Sequence, residues 1–263
     1  GVNNICGVAN VAIGPYAGAR DGGTGRGKGD CNTFVGACAG GYITTGDHNA
    51  FFGADAGRNI TIGGWNLLAG SFAGYNITEG CDNVVLGRRS GNSMTTACYN
   101  VLIGSCAGCG DGSTCVTGNT NIAIGHQSAY KLTSGSNNIT LGKGSGSSLT
   151  TAGNNVFIGK YAGDATTTGN YNVAIGANVD LASATGNAQL AIGCAASNWI
   201  TGDSSFNVCL AGSTIKAMAS GGELHATCFV GVAACIGASN VDANSNVDFH
   251  VPFLAGSNNR PRY

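Results

Sequence analysis

The chain has 263 residues, of which 46 are Gly, 12 Cys and only 3 Pro, with 10% charged residues and a formal net charge of −1. Without a basic surplus a nucleic-acid partner bound through its phosphates is not expected, and with no apolar run near the roughly 18 residues of a membrane helix no membrane insertion is expected. Collagen is excluded by the missing three-residue Gly period and scarce Pro, and low charge with many β-branched residues argues against disorder.

Taken in chain order, one motif recurs: Asn, three mostly apolar residues, then Gly. The start, at Gly1, shows neither a charged n-region nor an apolar h-region, so no signal peptide is read there. The first copy is Asn10-Val11-Ala12-Ile13-Gly14, and a Gly-rich insertion follows it within residues 19–28. Copies then start at Asn32, Asn49, Asn66, Asn83 and Asn100, each 17 residues after the last. A second insertion, within Cys109 to Cys115, precedes the copies at Asn121, Asn138, Asn155, Asn172 and Gln189, and a degenerate one begins at Asn207. A period this regular defines a solenoid or an array.

Further positions repeat with the Asn, which is numbered 0. Position 7 is small, position 8 is mostly Gly, position 12 is mostly Thr, and position 14 is Gly or Ala. Short runs of Val, Ile, Leu and Phe between glycines predict short strands joined by tight corners. A helix is excluded because apolar residues do not recur at 3.6 and Gly is too frequent. The fold class expected is all-β: a parallel β-solenoid, or β-roll, of 17-residue turns over residues 1–206, with a non-repetitive C-terminal capping or connecting β region at 207–263. About twelve turns at ~4.8 Å each make a rod of about 57 Å. In such a stack the Asn column forms an amide ladder or serves as a turn former before each strand.

The strand residues alternate between two faces. Positions 1 and 3 are read as the core of the coil. Position 2 is then the outward column, and it too is apolar, through Phe34, Phe51, Leu68, Val85, Leu102 and Phe157, with Thr140 as the polar exception. Strands apolar on both faces are normally covered on both. These six residues are therefore expected to form an oligomer interface, with a parallel homotrimer as the leading arrangement. The alternative is cover by another part of the same chain.

The runs Asn172-Val173-Ala174-Ile175-Gly176 and Asn155-Val156-Phe157-Ile158-Gly159-Lys160-Tyr161-Ala162-Gly163, followed by Thr167-Thr168-Gly169, resemble repeats of bacteriophage tail fibres and the head repeats of trimeric autotransporter adhesins. The resemblance covers about residues 10–206. It implies a trimeric β-roll used for attachment, located outside the cell or on a virion surface, with a host or neighbouring cell-surface receptor or glycan as partner. It names no receptor.

Candidate chemistry is sparse. Cys81 and Cys98 share one position in neighbouring turns, so stacking brings their Cα atoms within disulfide range; Cys109 and Cys115 flank the second insertion and are placed to staple it. Both pairs stand as possible disulfides in an oxidising compartment and as free thiols in a reducing one. Cys209 is read as a small buried hydrophobe. Cys106-Ala107-Gly108-Cys109 lacks the further ligands a zinc site requires. His48, His126, His225 and His250 are scattered without a nucleophile, and no position holds paired carboxylates. No catalytic residue, cofactor or metal is expected. The first insertion, with Arg20, Arg26 and Lys28, is a solvated loop or a ligand contact, and it is not a phosphate-binding loop because Gly follows Lys28.

Position 6 varies most, and Tyr16, Phe72, Arg89 and Tyr161 there are candidates for surface recognition, with the aromatic rings suited to sugars. Three functions fit: a trimeric fibre or adhesin shaft, a self-assembling extracellular filament subunit, and an ice-binding solenoid. The third needs an uninterrupted Thr array, which Ala184 breaks.

Overall fold

A computed structural model describes residues 7–19, 29–110, 112, 115–195, 197–205 and 207–210. The chain divides into two units between Ile215 and Lys216, and every described residue lies in the first. The described part is all-β. Its strands are β1 (Val11–Ile13), β2 (Thr33–Val35), β3 (Ala50–Phe52), β4 (Leu67–Ala69), β5 (Val84–Leu86), β6 (Val101–Ile103), β7 (Ile122–Ile124), β8 (Ile139–Leu141), β9 (Val156–Ile158), β10 (Val173–Ile175), β11 (Leu190–Cys194), β12 (Ser197–Gly202) and β13 (Val208–Leu210). From β1 to β11 each strand pairs with the next in parallel, position 1 over position 1, as in Ala50 over Leu67 and Phe52 over Ala69. This is a parallel β-solenoid with a repeat of about 17 residues.

Corners are set by backbone chemistry. The Gly at position 4 has φ near +130°, as at Gly53 with φ 134°, and a Cβ there would lie 2.7 Å from the Gly70 carbonyl of the next turn. Only Gly permits that conformation and that approach. At position 8, Gly57 has φ 55°, and a Cβ would meet the Phe51 ring at 2.6 Å. In the one turn where position 8 is Ala129, with φ 49°, position 2 is Ala123 instead of a ring. At that turn the small inner side chain leaves room for the corner's Cβ.

The face assignment expected from the sequence is reversed. Phe34, Phe51, Leu68, Val85 and Phe157 are 0% exposed, and Leu102 is 2% exposed, within the single chain. They fill the interior of the coil, so they cannot form the oligomer interface. Opposite them the buried residues at position 11 close the core: Ile43, Ile60, Ile77, Met94, Leu132 and Leu149. The Phe34 and Phe51 rings pack at 5.2 Å. Thr140 is also interior; its hydroxyl donates to the Ile122 carbonyl at 3.3 Å, and the Ser128 hydroxyl lies 2.8 Å from it.

Parity explains the reversal. Position 0 points the same way as position 2, and the Asn side chains are buried. Asn66 Nδ2 donates to Asn49 Oδ1 at 3.1 Å and to the Gly80 carbonyl at 2.8 Å, while Asn66 Oδ1 accepts from the backbone N of Asn83 at 3.1 Å and from its Nδ2 at 2.9 Å. The Asn column is thus both a ladder and a corner clamp, and it belongs in a dry interior where unpaired amides are costly. The Thr column works differently. The Thr44 and Thr61 hydroxyls donate to the backbone carbonyl of the next turn's Thr at 2.9 and 3.0 Å.

The coil resumes after the second insertion, where Met94 and Val116 form a parallel bridge. Stacking ends at β11. The copy at Asn207 is no further turn, because β12 pairs antiparallel with β11 and β13 antiparallel with β12. Cys209 is exposed, not buried. Residues 20–28 of the first insertion, and His225 and His250 with all of the chain after Leu210, lie outside the described residues.

Candidate functional site: an apolar strand face between two corners

With position 2 inside, positions 1 and 3 point outward from every strand. They form two adjacent columns up the rod: Val11 and Ile13 in β1, Ala50 and Phe52 in β3, Val101 and Ile103 in β6, Ile122 and Ile124 in β7, Val156 and Ile158 in β9. Over β1 to β11 these positions hold no charged residue, and Thr33 is their one hydroxyl. Val11 is 47%, Ile13 59% and Phe52 43% exposed. In the same two columns Leu67, Ile124 and Ile158 are nearly as exposed, and the remaining side chains are half-buried. Eleven strands at about 4.8 Å make this apolar stripe about 48 Å tall, larger than scattered exposed residues account for.

Two corner columns border the stripe, and both adopt left-handed backbone. Just before each Asn, at position −1, stand Cys31 (φ 56°), His48 (58°), Trp65 (56°), Asp82 (54°) and Tyr99 (63°). On the far side, at position 6, stand Tyr16 (57°), Cys38 (56°), Asp55 (56°), Phe72 (59°), Arg89 (57°) and Tyr161 (53°). Left-handed φ is uncommon for bulky side chains. The coil imposes it, since each column keeps one φ whatever residue fills it. Tyr16, Phe72 and Arg89 are exposed and Tyr161 is half-buried; they share a corner but do not form a pocket. Lys143 and Lys160 lie 5.8 and 5.4 Å from the Tyr161 ring.

Sequence reasoning passed over the −1 column. Trp65, Tyr99 and Tyr171 are each more than 60% exposed there, and His48 stacks on Trp65 at 5.4 Å with the rings nearly parallel. The available signal was their shared spacing directly before each Asn.

The cysteines divide. Cys81 and Cys98 are free thiols with Sγ atoms 2.7 Å apart. Burial, and then the neighbouring Cys98 thiol, push the Cys81 thiol up to about 12. Cys109 is buried and Cys115 exposed, both free. Burial, and then Cys106, push the Cys109 thiol up to about 11. A shallow depression lies beside the second insertion, lined by Asn59, Asn76, Thr78, Thr95, Gly112 and Cys115 among others. Its polar wall is engaged, as Asn59 Nδ2 donates to Asn76 Oδ1 at 3.0 Å. Among the described residues no cluster of His, Cys, Asp or Glu is placed to hold a metal, and no helix is long and apolar enough to cross a membrane.

No protein-family model, no curated protein and no solved structure matches the chain.

Proposed function

We propose that this chain is the shaft of a homotrimeric fibre or adhesin, a structural and non-catalytic rod that attaches to a host or neighbouring cell surface from outside the cell or from a virion. The observation that carries the reading is the uncovered apolar stripe of positions 1 and 3, which runs the height of a rod whose own core is already complete. Burial of such a stripe between sister copies is the large favourable term available to it. The resemblance of the repeats to tail-fibre and adhesin repeats supports the same reading. The interface moves from position 2 to positions 1 and 3, but the assembly proposed is the one expected.

The extracellular filament subunit is the second reading, because an apolar face with two unlike borders also suits open-ended growth. Electron microscopy of the purified protein separates the two. Discrete rods of uniform length support the fibre; long polymers whose length grows with concentration support the filament; dispersed single chains overturn both. The ice-binding reading loses ground on geometry, since the Thr hydroxyls at position 12 are spent on the next turn's carbonyls.

A further inference from the structure

The two corner columns carry information that the stripe alone does not. In any closed ring of parallel copies about the rod axis, the −1 corner of one chain meets the position 6 corner of the next. Within one chain the two corners are seven residues apart, at most about 23 Å at ~3.3 Å per residue.

In four consecutive rows, from Cys31 to Asp82, the two corners carry complementary residues. Cys31 faces a Cys38. His48 faces an Asp55, and Trp65 faces a Phe72. Asp82 faces an Arg89. No row from Cys31 upward sets like charges against each other. Asp82 and Arg89 are exposed and have no ion-pair partner among the described residues, where the pair formed by Arg58 and Asp55 at 2.9 Å is the one present. A slip of one turn upward sets Cys31 against Asp55 and Asp82 against Cys106; a slip downward sets Trp65 against Asp55 and Asp82 against Phe72. Either slip loses the thiol pair and the ion pair together.

We infer that the partner covering the apolar stripe is a second and third copy of this chain, parallel and in strict register, with Cys31 of each copy against Cys38 of the next and Asp82 against Arg89. This rests on the oligomeric reading above and adds to it the polarity, the register and the residue pairs. Three copies fit best. Three faces at most about 23 Å wide enclose a triangular channel whose walls lie within about 7 Å of the axis, near the ~5 Å that one face contributes where sheets pack ~10 Å apart. Four faces of that width leave walls up to about 11 Å away and an unfilled centre, and two faces hold the corners ~10 Å apart, beyond the ~4.4–6.8 Å of a disulfide.

The thiol pair supplies the direct test. Incubated with oxidised glutathione, the Cys31 and Cys38 thiols of adjacent copies give up two protons and two electrons and form one disulfide, while the glutathione disulfide is reduced to two glutathione thiols. Three such bonds close a covalent ring. The expected result is a three-chain band on non-reducing denaturing electrophoresis that vanishes with Cys31→Ser and with Cys38→Ser. Asp82→Arg is expected to weaken association by about tenfold or more, and the double variant Asp82→Arg/Arg89→Asp to recover most of that loss. An oligomer of unchanged mass without a band dependent on Cys31, or a double variant as weak as the single ones, overturns the register while leaving the oligomer standing. A monomer overturns both.

Discussion

Phe51→Ala tests which face of the strand is inside. The ring is wholly buried, packs on Phe34 at 5.2 Å, and lies where a Cβ on Gly57 would meet it at 2.6 Å. Its removal leaves a cavity bounded by backbone stacked at fixed spacing, which has little freedom to collapse. Large-to-small changes of this kind cost about 3–5 kcal/mol, which moves a urea midpoint by more than about 1 M. Because each turn contacts its neighbours alone, the loss centres on the turns of β2 to β4 and spreads from there. The companion change is Phe52→Ser, one residue along and 43% exposed. It is expected to alter the stability of the isolated chain by less than about 1 kcal/mol and to weaken self-association. Urea unfolding followed by circular dichroism, together with light scattering, reads both effects. If Phe51→Ala leaves stability intact and dissociates the oligomer, position 2 faces outward and the assignment is refuted.

Three other outcomes follow from the same geometry. Asn66→Leu strands the Asn83 backbone N–H and the Gly80 carbonyl inside the coil; at about 1–3 kcal/mol for each buried group left unpaired, amide hydrogen exchange should accelerate in the turns on either side of β4 and stay slow near β10. Burial, and then the nearby Asp180 carboxylate, hold the Asp164 carboxyl above its usual range. A raised carboxyl favours the fold while protonated and loses that favour as pH rises through its folded value. Asp164→Asn should therefore raise the thermal midpoint at pH 7, with the gain gone near pH ~3; an equal gain at both pH values contradicts this. In a Cys31→Ser background, oxidised glutathione should close Cys81 to Cys98 faster at pH 9 than at pH 7, since the thiolate is the reactive form and the Cys81 thiol sits near 12. Closing a loop of this size is worth about 3 kcal/mol, read as a raised midpoint with two fewer titratable thiols, and an unchanged thiol count counts against the placement.

The strands β1 to β10 were legible because the Asn-to-Gly spacing marks both ends of each one, whereas β12 carries no such motif and was not anticipated. Their facing was not, because three-residue strands apolar on both sides alternate without a sign. The missing sign lay in the Asn. A column of amides bonded to one another must be kept from water, and position 2 shares its side. The Phe rings at position 2 agree, since each of Phe34, Phe51 and Phe157 has Gly at position 8, where a Cβ would meet the ring. The degenerate copy at Asn207 misled for another reason: sequence similarity at one motif does not specify strand direction, and the antiparallel β11 to β13 arrangement follows from a turn too short to cross the coil. The nearness of Cys81 and Cys98 was readable because register in a solenoid is sequence spacing.

Sedimentation equilibrium of the purified reduced chain weighs the uncovered stripe most directly. With one chain at 26.0 kDa, the mass expected is three times that, about 78 kDa, held constant over a wide range of concentration. A species of 26.0 kDa at micromolar concentration, with the stripe in open water, would contradict the assembly proposed for this rod.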